Sequence, residues 1–108
     1  MSFPRALVRP EADDEIDEIA RYIARNNLPA EHRFYDAVQD ALDKLARMPG
    51  MGGQRAVRKP ALEGLRSWPI QGFENYLIFY LPLPDGGIDV LRVLHRAGDV
   101  DHVIERGI

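Results

Sequence analysis

Gly64 to Asp99 reads GLRSWPIQGFENYLIFYLPLPDGGIDVLRVLHRAGD, and two runs inside it decide the architecture. Tyr76 to Leu81 (YLIFYL) and Ile88 to His95 (IDVLRVLH) are rich in β-branched, aromatic and leucine side chains. The PLPDGG between them carries the Pro and Gly punctuation of a turn, so the pair predicts a β-hairpin. The first run is apolar at almost every position, which predicts a central strand covered on both faces. Strict alternation in the second run would point Ile88, Val90, Arg92 and Leu94 one way and Asp89, Leu91, Val93 and His95 the other. That places Arg92 and His95 on opposite faces. A mid-strand guanidinium among apolar neighbours costs several kcal/mol unpaired, so Arg92 is expected to meet a carboxylate or carbonyl. Just ahead, Leu65 to Pro69 lies between Gly64 and the Pro69 to Gly72 turn and predicts a third strand, completing an antiparallel sheet.

Working outward to the N-terminus, Phe3 to Arg9 (FPRALVR) predicts a short first strand that tolerates Pro4 only near its start or at an edge. Pro10 suits the first turn of a helix, and Glu11, Asp13, Asp14 and Glu15 crowd the end where the helix dipole favours anions. Ala12, Ile16, Ile19, Ala20 and Ile23 recur at helical spacing, which carries this helix to about Arg25. Asn26-Asn27-Leu28-Pro29 breaks the pattern, Asn suiting the end of one helix or the cap of the next and Pro29 a helix start, and a second helix follows whose stripe is Phe34, Val38, Ala41, Leu42 and Leu45. Two amphipathic helices joined so closely form an antiparallel hairpin. Neither buries its stripe alone, so Ile16, Ile19, Ile23, Phe34, Val38, Leu42 and Leu45 are expected to cover one face of the sheet.

Met48-Pro49-Gly50-Met51-Gly52-Gly53 ends the second helix, and the Gly and Pro content predicts irregular structure as far as Gly64. Within Gly50 to Ile70, Arg55, Arg58, Lys59 and Arg66 face only Glu63. Long loops in compact domains are usually functional or mobile, so these cations become candidate contacts for an anionic partner beside the plainer reading of a solvated loop. Trp68, the only Trp, is either a core residue or a partner anchor, since Trp is enriched at interface hot spots. Tyr76, Phe79 and Tyr80 read as core, with the Tyr hydroxyls reaching the sheet edge. Beyond the last strand, Asp99 is expected to cap a short helix containing Val100, Val103 and Ile104. The order of strand, helix, helix, three strands and terminal helix is an α+β two-layer fold: an antiparallel sheet covered on one face by an N-terminal helical hairpin.

The 108 residues, 45% of them hydrophobic, suffice for one domain with one modest core. There is no Cys, which excludes a disulfide framework, a thiolate zinc site and a cysteine nucleophile. His32, His95 and His102 show no metal-ligand spacing, and no Gly-rich phosphate loop precedes a helix, so neither metal nor cofactor is expected. No stretch approaches the roughly 18 to 20 apolar residues of a membrane helix, and MSFPRALVRP lacks the apolar run of a signal peptide; the expectation is a cytosolic chain. The formal net charge is -3, unevenly placed: Glu11 to Leu45 holds ten acidic against four basic residues, whereas Ala46 to Ile108 holds seven against eight. A dedicated nucleic-acid binder is strongly basic, and a sequence pI near 5.5 is not.

Taken together, LVRPEADDEIDEIARYIA, LDKLARMPGMGG, GLRSWPI, YLIFY and IDVLRVLH followed by Asp99 cover nearly the whole chain in order. In that combination the sequence resembles the RelE/ParE superfamily of toxins from type II toxin-antitoxin modules, and within it the ParE branch. The resemblance implies a small bacterial toxin held inactive in a hetero-oligomer by a cognate antitoxin. It also implies action on DNA gyrase, a type II topoisomerase, for a ParE-like member, or ribosome-dependent cleavage of messenger RNA for a RelE-like one. One position departs from the ParE-like pattern: Gly98 stands where a basic residue usually precedes the final Asp.

The two activities need different residues. RNA cleavage requires a base, cations and an acid to converge on one phosphate, and the candidates are His95, Arg66 and Arg96. A histidine closing a strand is more often a packing residue, and the acidic helices oppose approach to ribosomal RNA. The inhibitor needs no catalytic group, and its contacts are expected at Arg55, Arg58, Lys59, Arg66 and Trp68. A toxin-like fold retained only to bind its antitoxin is the third reading.

Overall fold

The structure is a computed structural model that describes residues 5–98 and 100–107. Its elements run β1 (Ala6–Val8), α1 (Pro10–Asn26), α2 (Leu28–Arg47), β2 (Gly53–Gln54), β3 (Arg66–Ile70), β4 (Phe73–Pro82), β5 (Ile88–His95) and α3 (Val100–Gly107). The strands form one sheet in the order β1-β5-β4-β3-β2. Thus β4 is central, as its unbroken apolar run predicts. Of the expected first strand, the part before residue 5 lies outside the described residues, as does the cap assigned to Asp99.

The sheet is mixed rather than wholly antiparallel. β2 to β5 pair antiparallel, but β1 joins β5 in parallel, with Ala6 opposite Ile88 and Val8 opposite Val90. A parallel pair needs a long crossover, which the helical hairpin and the three intervening strands supply. Alternation in Phe3 to Arg9 carries no information about direction, which is why the expectation of a wholly antiparallel sheet fails at β1. Gly87 makes the approach possible: it has φ +85, and an added Cβ would strike the Arg5 backbone. The Ile88 N–H donates to Arg5 O at 2.9 Å on that same line.

Helix boundaries follow the local chemistry. Pro10 opens α1 and Asn27 caps α2, its side-chain oxygen accepting the Ala30 N–H at 3.2 Å. Ile16, Phe34, Val38, Leu42 and Leu45 are buried as expected, while Ile19 and Ile23 are half-buried at the margin. They meet Ile78, Tyr80, Ile88, Val90 and Val93 from the sheet.

The opposite face is covered too. Leu62, Leu65, Phe79 and Leu91 form a second apolar cluster, closed by Val100 and Ile104 of α3. Alternation along β5 is interrupted to serve both layers. Phe79 pairs with Arg92 but Tyr80 pairs with Val90, so Leu91 is an extra residue. Val90 and Val93 therefore both face the hairpin while Leu91 faces α3, which corrects the expected grouping of Leu91 with Val93.

Beyond Val90, β5 has outrun β1. The Arg9 N–H makes the last bond, to Val90 O at 3.0 Å, before Pro10 turns the chain into α1. Glu15 fills the gap. Its Oε1 accepts the Val93 N–H at 3.0 Å, and Arg92 Nη2 donates to Oε2 at 2.6 Å. This is the carboxylate partner Arg92 was expected to need; the hydrogen bond to Glu15 raises the Arg92 pKa more than its partial burial lowers it.

Candidate partner-binding site

The segment between α2 and β3 is more ordered than its Gly and Pro content predicts. A short 3-10 turn at Pro49–Met51, the two residues of β2 and a second such turn at Pro60–Leu62 replace the expected irregular loop. Its entry is fixed from beneath. The fully buried Tyr80 ring carries its hydroxyl up to the turn, donating to Pro49 O at 2.7 Å and accepting the Gly52 N–H at 2.8 Å. Burial pushes the Tyr80 phenol pKa up, opposed in part by the Gly52 N–H and the Arg66 charge. Only glycine fits at position 52, since a Cβ there would stand 2.5 Å from the Tyr80 oxygen and 2.9 Å from Ser67 O. The middle of the segment is held by the Arg55 N–H bonding Leu65 O at 2.9 Å, and its end by buried Leu62 and Leu65.

These anchors sort the predicted contact residues into two groups. Arg66 turns its guanidinium onto the loop, donating from Nη1 to Gly50 O at 3.1 Å and Gly52 O at 2.5 Å. Its charge works as a clamp. Trp68 follows on the same side of β3, packed against the hairpin-facing core and bordering a groove of about 580 Å³ with Ala37 and Ala41 of α2. Arg55 and Arg58 belong to the other face. With Val57, Leu65, Asp101, Ile104 and Glu105 they line a cavity of about 530 Å³ between the loop and α3. The Arg55 guanidinium lies 5.3 Å from the Phe79 ring centroid, within cation–π range, and 3.8 Å from Asp101. Arg58 is exposed, and its backbone N–H donates to Glu105 Oε1 at 3.2 Å. Lys59 is half-exposed at the start of the second turn. Hence Arg55, Arg58 and Lys59 share one stretch of loop, whereas Trp68 is not brought to them.

The residues of the nuclease reading do not converge. His95 is exposed at the end of β5, its ring set edge-on to Tyr76 at 5.0 Å and its Nδ1 accepting the Ala97 N–H at 3.0 Å. Arg96 is beside it, with its backbone N–H on Asn75 O at 2.7 Å. Arg66, however, pairs with Tyr80 from one flank of β4 while His95 pairs with Tyr76 from the other. Four residues of strand separate those positions by roughly 13 Å, and two strand spacings add about 5 Å each. Among the described residues no group of His, Asp or Glu is arranged to hold a metal ion.

Two participants escaped the sequence reading. Tyr80 gives no local sign that it anchors a loop some thirty positions earlier. The α3 carboxylates do leave a trace, because Asp101 and Glu105 repeat the four-residue spacing of Val100 and Ile104 and so fall beside the apolar contact.

A family model described as the ParE toxin of the type II toxin-antitoxin system, parDE, matches residues 7–100. No curated protein matches the chain. A solved structure described as the chromosomal ParDE TA system from P. aeruginosa is similar in fold, with a TM-score of 0.56 and 16% identity over 84% of this chain and 94% of that one.

Proposed function

The chain belongs to the ParE toxin family of type II toxin-antitoxin systems, and from that premise we propose that it inhibits DNA gyrase and is neutralised by a cognate antitoxin. Membership of a toxin-antitoxin family implies an antitoxin partner. Gyrase as target is the finer step. The observation that carries it is the division of labour just described: Arg66 is committed to the carbonyls of Gly50 and Gly52, far along β4 from His95. A general acid or base and its charge-stabilising cation must reach the same phosphate. Inhibition by contact asks only for a presented surface, which Arg55, Arg58 and Lys59 supply on an anchored loop.

The test is a pair of assays on the purified chain, gyrase supercoiling and ribosome-dependent messenger RNA cleavage. Inhibited supercoiling with intact RNA supports the reading, and His95→Ala then leaves inhibition unchanged. RNA cleavage with unaffected gyrase overturns it. Inactivity in both, with tight antitoxin binding, would identify a fold kept only for its antitoxin.

A further inference from the structure

The cavity beside α3 has walls of opposite charge. Arg55 and Arg58 stand on the loop side, Asp101 and Glu105 on the helix side. We propose that α3 is an acidic latch that screens the loop cations in the free chain and lifts when they engage an anionic partner surface. This inference rests on the reading that the loop meets such a partner.

Three observations carry it. First, both carboxylates of α3 near the cavity are directed at the basic stretch: Asp101 lies 3.8 Å from the Arg55 guanidinium and Glu105 accepts the Arg58 N–H at 3.2 Å. Second, α3 is weakly held. Its eight residues fall short of the roughly 12 to 15 that an isolated helix needs, and among its described side chains Val100 and Ile104 are the ones buried against Leu62, Leu65, Phe79 and Leu91. The Asp101 side chain is 95% exposed, so its attraction to Arg55 is too weak to lock the helix down. Elements with so few buried contacts open far more readily than the core. Third, Arg55 has a contact besides α3, its guanidinium lying 5.3 Å from the Phe79 ring centroid on β4. When α3 lifts, that cation stays presented.

The test compares two full-length variants of equal charge. Asp101→Asn with Glu105→Gln discharges the latch while leaving an acceptor for the Arg58 N–H. Asp36→Asn with Asp40→Asn removes the same charge from exposed positions of α2, on the hairpin side. The probe is a fluorescein-labelled deca-glutamate peptide at low ionic strength, read by anisotropy. The latch variant should bind it up to about five-fold more tightly than the control, and adding Arg55→Gln and Arg58→Gln should abolish the excess. Amide exchange across α3 should also quicken in the latch variant alone. Equal peptide affinities, or unchanged α3 exchange, overturn the latch. Both variants then enter the supercoiling assay: a latch upheld by the peptide with no gyrase inhibition by either variant refutes the gyrase reading and leaves the latch standing.

Discussion

Tyr80 links the core to the candidate site through one oxygen. Its ring is fully buried between β4 and the hairpin, and its hydroxyl satisfies both Pro49 O and the Gly52 N–H. Tyr80→Phe keeps the ring and strands those two backbone groups, one of them on a buried glycine. The expected cost is about 2 kcal/mol, in the range for leaving buried polar groups unsatisfied, read as a lower urea midpoint with unchanged slope. The loss should be local in character, with faster amide exchange around Gly52.

The same phenol gives the chain an alkaline limit. Burial raises its pKa above the ordinary 10.0 in the folded state, so above that pH the folded chain holds a proton that the unfolded chain has released. Stability is therefore complete below about pH 10 and falls as the pH rises past it. Tyr35, raised by its hydrogen bond to Asp17, and Tyr76, raised by burial, act with the same sign. Urea titrations from about pH 8 to 11 should show the decline, with Tyr80→Phe making it shallower without removing it. The sequence marks Tyr80 as a core residue but not as an anchor, because the anchoring partner is a backbone carbonyl that only folding brings near.

At the scale of elements, the exposed flank of β5 explains why α1 carries Glu15 where it does. β1 stops at Val8, and α1 starts immediately at Pro10. A sheet edge left open offers unpaired groups to other chains; here a helix side chain takes the Val93 N–H and the Arg92 charge together. The side chains of Arg92 and Glu15 are 19% and 16% exposed, so removing one partner leaves a largely desolvated charge. Glu15→Ala should cost about 3 kcal/mol, near the lower end for breaking such a pair. Glu15→Gln, which still accepts the Val93 N–H, should cost less; its own urea-midpoint shift measures the charge contribution, and the further loss in Glu15→Ala measures the backbone bond. Equal costs would mean that the ion pair, not the backbone bond, is what Glu15 supplies.

Which of these features the sequence disclosed depends on how local their causes are. Both long helices, the break between them at Asn26 to Pro29 and the central strand were legible, since each follows from periodicity or punctuation within a few turns of chain. The need of Arg92 for a partner was legible as well, though not that the partner is Glu15. What escaped were consequences of pairing across distance: the parallel seat of β1, the extra residue at Leu91, and the separation of Trp68 from Arg55 and Arg58. Each is decided by which strand lies alongside, and a single strand's alternation does not encode its neighbour.

For the molecule as a whole, charge is divided by layer. The acidic excess belongs to the segment carrying α1 and α2, over one face of the sheet, while Arg55, Arg58 and Lys59 sit on the loop beside α3. An anionic partner surface would be repelled by one layer and drawn to the other, so orientation on approach would be set before contact. That makes association sensitive to salt, because the Debye length shrinks to about 10 Å at 0.1 M ionic strength. With immobilised gyrase, the association rate should fall steeply between roughly 50 and 200 mM salt, whereas dissociation should change little. Arg55→Gln combined with Arg58→Gln should slow association at low salt and flatten its salt dependence. If that double variant keeps the full slope, the loop is not the surface through which the chain would meet gyrase.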